Sequence, residues 1–152
     1  MRIGKTTAKA IIECVKAIDY LSSDSKKPVT SEKVHEYLRM SFEYVNDAIE
    51  AAIILQFINS GNILTLSSDG LKMISSVTKQ TGTLFRKQLL KLPPINQLIE
   101  LISEGNNFED AVRKIIVSSN IEGNEKEILY SLRNLMMFAN IIGAEGDIKK
   151  NK

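Results

Sequence analysis

The sequence predicts a mostly helical protein with small β-hairpins, arranged as two helix–helix–helix–hairpin units in tandem. Three observations carry this. Apolar residues recur at helical spacing along nearly the whole chain, as at Ile11, Ile12, Val15, Ile18 and Leu21. The stretch "QFINSGNILTLSSDG", residues 56–70, sets two short β-compatible segments around a turn-forming quartet. The helix before that stretch also has a counterpart 83 residues later.

Thr7 is placed to cap a first helix over residues 7–21, and "SSDSKKP" follows as a polar loop. Thr30 or Ser31 can cap a second helix ending near Arg39 and burying Val34, Tyr37 and Leu38. Pro28 fits just ahead of it. Ser41 can cap a third helix to about Leu55. Gln56–Ile58 and Ile63–Leu66 then read as paired strands, with Asn59, Ser60, Gly61 and Asn62 turning between them. Ser68 or Asp69 can cap a short helix carrying Leu71, Ile74 and Val77.

"KQTGT" is expected to interrupt the chain before a basic helix over about Leu84–Lys91, and Pro93 with Pro94 to break it again. Ile95, Leu98, Ile99 and Ile102 form one helix face ending at "EGNN". Asn107 with Asp110, and Asn124 with Glu127, resemble capping boxes opening helices of roughly 108–118 and 125–139. The end, "NIIGAEGDIKKNK", holds an apolar pair, a Gly-bearing turn and a charged tail.

At the offset of 83, Val45 falls opposite Ile128, Ile49 opposite Leu132, Ala52 opposite Leu135 and Gln56 opposite Ala139. "FINSGNIL" and "ANIIGAEGDI" follow the two helices as comparable turns. The expected organisation is a first unit over 1–69, basic linking helices over 70–91, a second, reduced unit over 92–148, and a tail over 149–152. In this order of elements, with "ILTLSSDG", "LFRKQLLKLPPI" and "FEDAVRKII", the chain resembles tandem winged-helix accessory domains. Such domains occur at the C-termini of AAA-type ATPases and in restriction or phage-defence loci. The resemblance covers most of the chain and lies in apolar positions and turns rather than in a diagnostic motif. It implies a regulatory or docking module without catalysis of its own, any ATPase being a separate partner.

Composition narrows the function classes. The chain has 152 residues, is 43% hydrophobic and carries a net charge of +2, too little by itself to imply a polyanion partner. The charge is patterned: +3 over residues 1–27, −4 over 28–69, +5 over 70–94, −4 over 95–130 and +2 over 131–152. Such alternation suits a polyanion, a patched protein partner, or simply solvated helix faces. No apolar run approaches the roughly 18 residues that span a bilayer, and charged residues interrupt the N-terminus, so a cytoplasmic protein without membrane association is expected. "GKTT", residues 4–7, looks like the end of a phosphate-binding loop but lacks the preceding Gly and strand. With one His and one Cys, neither a His-pair nor a thiolate-rich metal site is available, and no metal or cofactor is expected. Cys14 points to the apolar face, and His35 reads as a surface residue beside Glu32 and Glu36. No enzyme activity is expected.

Function is therefore sought on the third helix and its counterpart. A helix reading the major groove presents cations or amides to phosphates and base edges. The third helix instead turns Glu43, Asp47, Glu50 and Ile54 outward, which suits a basic protein surface. Its counterpart turns out Lys126, Tyr130, Arg133 and Met137, the better DNA-facing set, with Arg86, Lys87 and Lys91 as candidate phosphate contacts. The expected function is a DNA-associated regulatory or accessory module binding double-stranded DNA through Lys126, Tyr130 and Arg133; its rival is a protein-docking adaptor using the acidic face of Glu43, Asp47, Glu50 and Ile54. Ile54 and Met137 also permit packing between copies, as in a homodimer.

Overall fold

Short polar side chains open the first three helices. In the structure, a computed structural model that describes residues 1–24 and 27–149 apart from the Thr78 side chain, Thr7 Oγ1 accepts from the Ala10 amide at 3.1 Å and starts α1 (Ala8–Asp24). Thr30 caps α2 (Ser31–Leu38) by accepting from Lys33 N, and Ser41 caps α3 (Phe42–Ile54) by accepting from Tyr44 N. Each cap satisfies an amide that the first helical turn leaves without an intrahelical partner. Arg39, at φ 55°, turns the chain left-handed and ends α2. Each of the three helices packs on the other two. Ile11, Cys14, Val15, Ile18, Val34, Val45, Ala48 and Ala52 are buried between them. Tyr37 departs from expectation: it is 46% exposed, stacked on Tyr20 rather than buried with Val34, and Leu38 is only half-buried.

The hairpin expected after the third helix is present, with shifted strands. β1 (Ile58–Asn59) and β2 (Thr65–Leu66) pair antiparallel, Ile58 against Leu66 and Asn59 against Thr65. The turn is residues 60–64, so Asn59 belongs to a strand, where its Nδ2 donates to Thr65 Oγ1 at 2.9 Å. Leu64 N donates to Val29 O at 2.8 Å, tying the returning arm to the segment ahead of α2. Phe57, Ile58 and Leu64 face the core.

Ser67, one residue before the expected caps, opens α4 (Ser68–Ile74) by accepting from Gly70 N; its own hydroxyl donates to Gln56 O. The inward face of α4 is Gly70 and Met73, while Leu71 and Val77 are exposed. The reason is close approach: a Cβ on Gly70 would collide with the Phe57 carbonyl, so the helix docks through its glycine.

Four further helices follow: α5 (Thr78–Leu89), α6 (Pro93–Ser103), α7 (Phe108–Ser118) and α8 (Glu125–Phe138). "KQTGT" does not interrupt the chain, because α5 runs unbroken through Gly82. A Cβ there would lie 3.1 Å from Phe138 O, and the glycine admits that approach while Phe85 meets Phe138 edge-on, centroids 5.1 Å apart. Pro93 and Pro94 form the first turn of α6, where a missing N–H costs nothing. Ile95 and Leu98 are buried on its inner face; Ile99 and Ile102 are half-buried. Asn107 and Asn124 cap α7 and α8 as expected, accepting from Asp110 N at 2.8 Å and Glu127 N at 3.1 Å.

Among the described residues there are eight helices and one two-stranded sheet, and none of the helices is long and apolar enough to cross a membrane. The chain divides into an N-terminal unit, Lys5–Thr81, and a C-terminal unit of Met1–Gly4 with Gly82 onward. The division falls inside α5, within the segment expected to link the two units. "GKTT" therefore straddles it. Residues 1–4 serve the C-terminal unit: Ile3 N donates to Glu122 O at 3.0 Å, Glu122 N to Met1 O at 2.8 Å, and buried Ser131 Oγ to Gly4 O at 2.6 Å. Gly123, at φ 135°, leaves room for this segment; a Cβ would stand 2.5 Å from Ile3 O.

α3 and α8 are alike in detail. Counting from their caps at an offset of 83, Val45, Ala48, Ile49 and Ala52 correspond to Ile128, Ser131, Leu132 and Leu135, all buried. α8 holds one more residue than α3, so from the last turn the offset becomes 84. Gln56 then corresponds to Asn140, not Ala139, and both are left-handed, at φ 63° and 59°. Phe57 N returns to Ala52 O, and Ile141 N to Met136 O. Ile142 next pairs antiparallel with Ile148, and Gly143 N donates to Asp147 O at 2.8 Å. Of the charged tail expected over 149–152, residues beyond Lys149 lie outside the described part.

Candidate functional site

In the N-terminal unit, Glu43 stands exposed in the first turn of α3, where a carboxylate also favours the helix dipole. Asp47, Glu50 and Ile54 are half-buried, and Glu50 Oε1 accepts from Asn46 Nδ2 at 3.3 Å. The chemistry around them is uniform: residues 40–71, which make α3, the hairpin and the start of α4, contain no Lys, Arg or His. In the hairpin turn, Ile63 is 53% exposed.

The C-terminal unit treats its cations differently. Lys126 and Tyr130 are exposed on α8, as are Lys87 on α5 and Lys91 just beyond it. Arg133 is half-buried rather than outward. Its Nη2 pairs with Glu109 Oε1 at 2.9 Å, its Nη1 donates to Ala144 O at 3.2 Å, and its Cζ lies 4.7 Å from the centre of the Phe108 ring. The guanidinium thus joins α7, α8 and the turn after α8. Arg86 is also half-buried, and its Nη1 donates to Asn140 O at 3.1 Å. That contact places a cation on the carbonyl end of α8, which the helix dipole favours. Each arginine already commits part of its five-donor guanidinium to a structural partner, which limits how it can turn toward a phosphate.

Cys14 is fully buried and its thiol is pushed up to about 12, by burial first and by the neighbouring Glu13 carboxylate second. A thiol held neutral in this way is a poor nucleophile at ordinary pH. His35 is more than a surface residue: it is half-buried, its Nδ1 lies 2.6 Å from Met40 O, and its ring meets Phe42 edge-on at 5.9 Å. It holds the turn from α2 to α3.

Sequence reasoning missed one feature. Leu21, Lys27, Val29, Lys33, Glu36 and Tyr37 line an open groove of about 370 Å³ between the end of α1 and α2. Tyr37 stacks on Tyr20 beside it, centroids 5.1 Å apart and planes at 26°. The signal was masked because Tyr37 falls at a core-compatible position of α2, and the lining comes from three separate segments. Comparison of this chain with protein-family models, with curated proteins and with solved structures finds no match.

Proposed function

We propose that this chain is a non-enzymatic protein-docking adaptor built from two winged-helix units, and that it engages a basic protein surface through α3. The architecture is supported by the order helix, helix, helix, hairpin in the N-terminal unit, by the Leu64–Val29 hydrogen bond that ties the hairpin to the segment ahead of α2, and by the matching end of α8. The observation that carries the function is the absence of any cation from residues 40–71. A winged helix that grips DNA does so through its third helix and hairpin, and phosphates reward Lys and Arg there. Here the same surface carries Glu43, Asp47 and Glu50, with Ile54 half-buried and Ile63 exposed at the turn. Carboxylates around apolar residues repel DNA and complement a basic protein.

The second reading, DNA association through the C-terminal unit, is favoured by the exposure of Lys126 and Tyr130 on one α8 face, with Lys87 and Lys91 also exposed. It is weakened by the engagement of Arg133 and Arg86. Anisotropy of a labelled random-sequence duplex, titrated with the full chain from 50 to 200 mM salt, separates the two. The adaptor reading expects no binding tighter than about 100 µM, the weak end of non-specific association. Submicromolar, salt-dependent binding abolished by Lys126→Glu would return the function to DNA. In the source cells' lysate, a partner held by the native chain is expected to be lost with Asp47→Lys and kept with Lys126→Glu. A partner indifferent to Asp47→Lys removes α3 as the docking surface.

A further inference from the structure

We draw no further inference here: the strongest candidate, the open groove of about 370 Å³ between the end of α1 and α2, walled by Leu21, Val29 and Tyr37 with charges of both signs at Lys27, Lys33 and Glu36, carries nothing because nothing in the structure shows what covers it.

Discussion

α3 leaves its last turn through Gln56 at φ 63° and α8 through Asn140 at φ 59°, and each chain then returns an amide to the helix, Phe57 N to Ala52 O and Ile141 N to Met136 O. After this common exit the two ends are secured by different forces. The first hairpin is held by backbone and shape: α4 docks its Gly70 against Phe57, Ser67 bonds to Gln56 O, and Leu64 reaches Val29. The second turn adds charge to backbone pairing and close packing: beside the Ile142–Ile148 bridge and the approach of Gly146 to Phe108, Arg133 joins it to Glu109 and Phe108, and Arg86 covers the Asn140 carbonyl. A unit fastened by packing needs no cation on its hairpin side, whereas a unit fastened by arginines has committed them. The same backbone solution thus leaves an acidic surface in one unit and occupied guanidinium groups in the other.

The sharpest way to break the comparison is to add one methyl group at each end. Gly70→Ala places a Cβ against the Phe57 carbonyl, a backbone atom that cannot move without the hairpin, and should destabilise the N-terminal unit by about 3–5 kcal/mol. Gly146→Ala, at φ 82° with a Cβ 2.7 Å from Phe108 Cβ, an atom fixed to the α7 backbone, joins left-handed strain to a smaller overlap, and about 2–3 kcal/mol is expected. Urea unfolding of both variants, followed by circular dichroism, measures the two losses. If Gly146→Ala proves the more damaging, the packing-held end is not the first one.

Next in size is the arginine clamp. Arg133→Met keeps the stem and removes the guanidinium, and should cost about 1–2 kcal/mol. The Arg133 side chain is 33% exposed and that of Glu109 51%, so solvent weakens their attraction. A double-mutant cycle with Glu109→Gln should therefore return a coupling of about 1 kcal/mol or less, smaller still in 1 M salt. A larger, salt-independent coupling would mean that the pair works as a buried one. Arg133→Met should also leave the first hairpin's amide protection unchanged, since Arg133 belongs to the other unit.

What the sequence made legible follows the range of the interactions. Thr7, Thr30, Ser41, Asn107 and Asn124 all open helices in the structure, because an N-cap bonds an amide within three residues and needs no knowledge of the fold. The hairpin was legible from its turn residues for the same reason. Gly82 was misread as a break because its purpose is the approach to Phe138 O, which local propensity does not contain. Leu71, which helical spacing groups with Ile74, is exposed because the Gly70–Phe57 contact sets the face of α4, and local spacing does not contain that contact. At the candidate sites, helical spacing found the carboxylates of α3, but it could not tell an outward arginine from one bent back onto Glu109 and Ala144. The groove beside Tyr37 needs three segments brought together by the packing of α1 on α2, and nothing within any one of them announces it.

The smallest expected effect tests the common exit itself. A left-handed conformation is unfavourable for any residue with a Cβ, but Asn tolerates it better than Gln because its short amide bonds locally to the backbone. Gln56→Gly should therefore stabilise the protein by about 0.5–1 kcal/mol, glycine's extra freedom in the unfolded chain offsetting part of the relief. Asn140→Gly should gain less, near zero, and it leaves the carbonyl that Arg86 grips in place. Measured together by thermal unfolding, Gln56→Gly should raise the midpoint more than Asn140→Gly does. Equal shifts would mean that the Gln56 side chain is not strained by its backbone, and that the two exits share a shape without sharing its cost. The reverse order would mean that the Gln56 side chain makes a contact worth more than the strain, and that it joins Ser67 and Asn59 in securing the first hairpin.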